Sequence, residues 1–251
     1  MTHAEIGSPP SRIPDWDGAF NLRDLGGLPT TDGTITRHGR VYRSGGPEHL
    51  TDLGWTQATA AGLTTVIDLR NAPEETARRP HHPVISPDAM SAITAINTPT
   101  EDPSDPQFRE LCGPWLDHPR SYADNTALYP EKFARVFSTI ADASGPLLVH
   151  CAAGRDRTGM VTAMLLDLNG VAAETIADDY EIAVRAVNDH ILANPNTARE
   201  DPHSEDVLAD RLSERRTALI AWLASFDVAT YLADAGVTAA QIDRLRTLLH
   251  E

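Results

Sequence analysis

Cysteine is scarce in this chain of 251 residues, with Cys112 and Cys151 the only two. Neither stands in a Cys-x-x-Cys or Cys-x-x-His pair, so a disulfide framework is excluded and a structural zinc site is disfavoured. Such sparing use fits a reducing setting. Cationic residues are also in deficit: 21 Lys+Arg face 36 Asp+Glu, a formal net charge of −15. Nucleic-acid surfaces neutralise phosphates with surplus cations, which this chain lacks. An anionic small substrate would be repelled at long range, so a local cationic pocket would have to overcome the global field. Nowhere do about eighteen apolar residues run together, and Met1 to Pro10 offers neither a basic nor an apolar leader region. These gaps predict a cytosolic protein with no stable membrane insertion. No internal repeat is evident.

The length suits one domain spanning 1–251, long enough to bury most of its unfolded surface. Residues 1–14, with Pro9, Pro10 and Pro14, read as a loose lead-in, with order starting near Trp16. Asp32-Gly33, between short β-prone runs from Leu28 to Ser44, predicts a hairpin. Thr51 is an N-cap candidate for a helix over 52–61, and Thr64 to Arg70 reads as a buried strand ending in polar residues. The C-terminal end of a parallel strand faces the usual ligand crevice of an α/β sheet, which singles out Asp68 and Arg70. A weaker strand is expected at 93–96, followed by a long irregular segment from Thr98 to Pro130. Phe133, Val136, Phe137 and Ile140 keep helical spacing. After them Leu147 to His150 forms a strand, and helical patterns occupy 160–168, 172–193 and 204–226. The last two are separated by Asn194-Pro195-Asn196, and Thr238-Ala-Ala-Gln241 opens a final helix with a capping box.

The informative stretch is His150-Cys151-Ala152-Ala153-Gly154-Arg155-Asp156-Arg157-Thr158-Gly159, which leaves a strand and enters a helix. Such a loop can turn successive backbone N–H groups inward, and the helix N-terminus adds about half a positive charge at its mouth. A Cys at its start has its sulfur under those donors, which favour thiolate over thiol and make a nucleophile. Arg157, six positions on, can offer two parallel N–H donors to a phosphate, a fork that Lys cannot reproduce. Thr158 brings a hydroxyl toward the sulfur. The predicted phosphate-binding set is therefore Ala152, Ala153, Gly154, Arg155, Asp156, Arg157 and Thr158.

His-Cys-x-x-Gly-x-x-Arg-Thr-Gly in this context resembles the signature loop of cysteine-dependent protein tyrosine phosphatases. Asn21-Leu-Arg-Asp-Leu-Gly-Gly27, Val41-Tyr-Arg-Ser-Gly45 and Ile67-Asp-Leu-Arg70 narrow the resemblance to the bacterial PtpB-like tyrosine/serine phosphatases. The match runs from Asn21 through the helix after Gly159, with a looser one beyond. It implies an α/β phosphatase fold: a mostly parallel central sheet flanked by helices, an N-terminal hairpin, and a helical lid with further helices over 172–251. It also implies hydrolysis of phosphotyrosine, with phosphoserine/threonine as further substrates, through a phosphocysteine on Cys151. Inorganic phosphate is the product, and no cofactor or metal is needed. Arg155 departs from the family's usual Lys. In the family that cation, with the neighbouring Asp, is linked to a breadth that includes phosphoinositides, so a phosphoinositide phosphatase is the rival enzyme reading.

Three carboxyls compete as proton donor to the leaving group. Asp68 ranks first by its family match, Asp156 second by its place in the loop, and Asp117 third by a faint Trp-Pro-Asp likeness. Asp68 and Arg70 could equally form a structural ion pair. The family pattern puts Arg23 close to the phosphate, and Tyr122 is a candidate wall for a phosphotyrosine ring. His150 reads as a support for the loop and Cys112 as a buried, inert thiol. A phosphate-binding module without turnover is the rival from outside enzymology.

Overall fold

The structure is a computed structural model that describes residues 11–72, 82–195 and 200–250. Five short strands form one sheet: β1 (Arg23–Asp24), β2 (Val41–Ser44), β3 (Thr65–Asp68), β4 (Thr94–Asn97) and β5 (Leu147–His150). Their order is β1-β2-β5-β3-β4, with β1 antiparallel to β2 and every other neighbour pair parallel. Leu147-Leu-Val-His150 is buried along its whole length, as a central parallel strand covered on both faces requires. Its side chains alternate between two cores. Leu147 and Val149 join Phe133, Val136, Phe137 and the helix that follows the loop. Leu148 joins Trp16, Tyr42, Trp55 and Val66 on the other face.

Register decides where the chemistry falls. Ser44 of β2 and Asp68 of β3 both pair with His150 of β5. The C-terminal ends of three adjacent parallel strands therefore stop at one level, and their following loops share one crevice.

The helices are α1 (Asp52–Ala60), α2 (Pro106–Leu111), α3 (Tyr122–Leu128), α4 (Pro130–Asp142), α5 (Asp156–Leu168), α6 (Ala173–Ala193), α7 (Glu205–Leu223), α8 (Val228–Asp234) and α9 (Ala239–Thr247). Thr51 caps α1 by accepting from the Gly54 N–H, and the capping box at Thr238 and Gln241 opens α9. Among the described residues no helix is long and apolar enough to cross a membrane.

Several expectations need correction. The hairpin around Asp32-Gly33 closes between Leu28 and Thr36 and does not reach Ser44, because β2 pairs with β5 instead. The segment 98–130 is not irregular: it holds α2, α3 and two single 3-10 turns. Each piece is shorter than two turns of an amphipathic pattern, and side-chain caps start two of them, with Asp105 accepting from the Gln107 N–H and His118 from the Arg120 N–H. The helix read as ending at 226 stops at Leu223, and α8 was not foreseen. Met1 to Pro10 of the lead-in, and Asn196 of the turn after α6, lie outside the described residues. From Ser11 on, however, the lead-in is tied down: the Asp24 N–H donates to the Arg12 carbonyl at 2.7 Å, and the Arg12 guanidinium reaches Asp179. That partner is 167 residues away, beyond any local pattern.

Candidate active site

Cys151 follows β5 directly and is buried at the start of the loop, which runs into α5 at Asp156. The loop's carbonyls are held from outside. Ala152 O accepts from the Gly46 N–H at 3.0 Å, Ala153 O from Asn21 Nδ2 at 2.8 Å, and Gly154 O from Arg43 Nη2 at 2.9 Å. In a trans peptide the C=O and the next N–H point in opposite directions, so the N–H groups of Ala153, Gly154 and Arg155 turn inward. Among the described residues no backbone carbonyl accepts from these three. Together with the N-terminus of α5 they form an anion cradle. Gly154 makes this path possible: its φ is +68°, and a Cβ there would lie 2.3 Å from the Ser44 carbonyl oxygen.

Arg157 sits on the first turn of α5, with Nη1 3.3 Å from Oε1 of Glu101. Glu101 escaped the sequence reading; its only signal was an acidic residue in the segment that follows a strand end. Thr158 is fully buried, and its hydroxyl has no hydrogen-bond partner among the described residues. His150 is buried, with Nδ1 3.2 Å from the Cys151 carbonyl. That oxygen can only accept, so Nδ1 carries the proton. Burial pushes the His150 pKa down, with the Arg70 charge adding to it, against the opposing pull of Asp68. The ring is thus a neutral brace, the support role read from the sequence.

Asp68 lies beside the loop, its carboxylate gripped by Arg70. Nε and Nη2 of Arg70 approach within 3.0 and 2.7 Å, and the Arg70 N–H adds a bond of 2.9 Å. Nη1 of the same arginine reaches Glu48 at 2.9 Å. Burial alone would raise the Asp68 pKa, but the Arg70 hydrogen bonds and nearby charge outweigh it and hold the carboxyl below its ordinary value. The ion pair between Asp68 and Arg70 is therefore real, whatever else Asp68 does.

Asp156 accepts from the Tyr180 hydroxyl at 2.9 Å and from Arg155 Nε at 2.7 Å. Arg155, buried in the loop, also gives both terminal nitrogens to Glu200 at 3.0 and 3.1 Å. Asp117 is paired with Arg215, whose Nη2 donates to its carboxylate at 2.7 Å. Asp117, Arg155, Glu200 and Arg215 line an open cleft of about 320 Å³ beside the loop, with Leu208 and Val184 as its apolar wall.

Two readings are corrected here. Tyr122 is fully buried and packs edge-on against Trp222 at 5.1 Å, so it is core and cannot face a substrate ring. Arg23 is buried behind the loop, donating to Asn21 Oδ1 at 2.6 Å and to Asp179 at 3.2 Å. Asp117, ranked third of the proposed acids, is paired with Arg215. Cys112 conforms to expectation: it is fully buried, and burial pushes its thiol up to about 11, far from a reactive thiolate.

A mostly parallel sheet thus delivers a buried Cys from its central strand to an amide-lined loop, with an Arg on the next helical turn. Residues 14–251 match the family described as the tyrosine phosphatase family, and the chain belongs to it. It is similar to the triple specificity protein phosphatase PtpB of Mycobacterium tuberculosis, at 27% identity over 92% of this chain and 97% of that protein. A tyrosine-protein phosphatase of Nostoc commune is 33% identical over 53% of this chain and 45% of its own length. A relative in Cupriavidus necator is 33% identical over 66% of this chain and 60% of its own length. The chain is accordingly a phosphatase of the protein-phosphatase type.

Proposed function

We propose that the chain hydrolyses phosphotyrosine in proteins or peptides, with phosphoserine and phosphothreonine as further substrates, through a phosphocysteine on Cys151. The sulfur attacks phosphorus as the bond to the leaving oxygen breaks, and a carboxyl gives that oxygen its proton. Water then attacks phosphorus, the S–P bond breaks, and inorganic phosphate leaves. Arg157 and the loop amides stabilise charge on the equatorial oxygens, the term expected to weigh most. The observation that carries this reading is the outward tethering of the Ala152, Ala153 and Gly154 carbonyls, which aims the following N–H groups at one anion.

For the proton donor we place Asp156 ahead of Asp68. Arg70 bonds both oxygens of Asp68 and favours its ionised form. Asp156 lies in the loop itself and shares its guanidinium partner, Arg155, with Glu200. That sharing also counts against the phosphoinositide reading, because the extra cation is already matched by two carboxylates. Cys151→Ser tests the whole proposal. Turnover of para-nitrophenyl phosphate should fall by about a thousandfold or more while phosphate esters still bind. Wild-type protein that binds phosphate without turnover would instead make this a binding module.

A further inference from the structure

Behind the loop, three guanidinium groups converge on one carboxylate. Asp179 of α6 is almost fully buried and receives Arg43 Nη1 at 2.7 Å, Arg23 Nε at 3.2 Å, and Arg12. Burial alone would raise its pKa, but the three arginines overwhelm that effect and keep it ionised. Burial and the neighbouring arginines hold Arg23 down to about 10, still charged at neutral pH. The cluster thus sets two buried arginines, Arg23 and Arg43, and the partly exposed Arg12 around one buried carboxylate, an excess of positive charge that is costly for a purely architectural contact.

Its wiring gives the reason. Arg43 spans from Asp179 to the Gly154 carbonyl, one nitrogen on each. Arg23 spans from Asp179 to Asn21 Oδ1, and the Asn21 amide goes on to the Ala153 carbonyl. Two separate hydrogen-bond chains start on one carboxylate and end on Ala153 O and Gly154 O, two of the three loop carbonyls whose following N–H groups turn inward. Asn21 sits at φ +53°, the single non-glycine residue with positive φ among the described residues, a left-handed conformation that Asn tolerates.

We infer that Asp179 is a positioning residue for the phosphate loop, acting through Arg43 and through Arg23 and Asn21 to fix the Gly154 and Arg155 N–H groups on the transferring phosphoryl group. The inference rests on the proposed phosphatase reading. It also assigns Arg23, read from sequence as close to the phosphate, a role one layer behind it.

The test uses the full chain, para-nitrophenyl phosphate as substrate and orthovanadate as an analogue of the pentacoordinate state. Asp179→Asn removes the hub, and Asn21→Gly removes a single amide while keeping the left-handed backbone. Both should lower kcat by about tenfold or more and weaken vanadate inhibition by a similar factor, with KM changed far less, as expected for donors that matter in the transition state. Melting temperature and circular dichroism report folding separately. If Asp179→Asn fails to fold, Asn21→Gly decides alone. A folded Asn21→Gly protein with wild-type kcat and vanadate affinity would overturn the inference. Absence of turnover in the wild type would instead overturn the phosphatase reading beneath it.

Discussion

Nη1 of Arg157 lies 3.3 Å from Oε1 of Glu101, so the fork meant for phosphate is aligned by a carboxylate from the chain segment after β4. A long, free guanidinium would lose rotamer entropy on binding, and a fixed partner supplies part of that ordering beforehand. Glu101→Gln keeps the shape and removes the charge. Its kcat/KM for para-nitrophenyl phosphate should fall by about tenfold, a loss expected of a misaligned donor. Steady-state kinetics at saturating and limiting substrate check this, and unchanged kinetics would leave Glu101 as a bystander.

The identity of the proton donor can be read from the leaving group. An acid matters most when the departing oxygen is basic, as in phosphotyrosine, and least when it is para-nitrophenolate. Asp156→Asn should therefore cost about a hundredfold on a phosphotyrosine peptide and far less on para-nitrophenyl phosphate, the usual scale of lost acid catalysis. Asp68→Asn should cost both substrates alike, since it frees Arg70 and loosens the strand end beneath His150. The opposite pattern would return the role to Asp68.

What could be read from the chain alone followed from local chemistry. Leu147 to His150 announces a buried central strand, Cys151 to Gly159 a strand-loop-helix anion cradle, and Thr238 with Gln241 a helix start, because each signal is complete within a few residues. The supports of the cradle were not legible. Asp179 and Glu101 are ordinary acidic residues until the lead-in, β1 and β2 bring three arginines to the one, and α5 brings Arg157 to the other. Tyr122 misled for the same reason: an aromatic residue between prolines looks like a binding wall, and only packing against Trp222 puts it in the core. The short helices of 98–130 eluded the periodicity test because each is shorter than two helical turns, too short to show an amphipathic stripe.

Arg155 takes the place of the Lys expected from the family resemblance, and its charge is divided between Asp156 and Glu200. A second anionic group on a substrate would have to displace Glu200 to reach it. Glu200→Gln should therefore improve kcat/KM for a phosphoinositide relative to a phosphotyrosine peptide by roughly three- to tenfold, the scale of one partly exposed charged hydrogen bond. A competition assay with both substrates measures that ratio directly. A ratio equal to the wild type's would mean that the Arg155 charge plays no part in choosing between them.

His150 ties stability to pH. Its folded-state pKa is lowered, chiefly by burial, so the folded chain binds this proton less readily than the unfolded chain, where the value is about 6.5. Stability therefore rises with pH through this window: the contribution is complete above about 6.5 and is lost as the pH falls toward the depressed value. His118 and His203 are lowered as well, again with burial as the largest cause, and act in the same direction. The melting temperature should fall as the pH is taken from about 7.5 to about 5.5, and His150→Gln should flatten that slope in part, leaving the share of the other two. Gln can still donate to the Cys151 carbonyl while having no proton to gain. A slope identical in wild type and variant would show that the ring is accommodated as a cation, against its burial beside the Cys151 carbonyl.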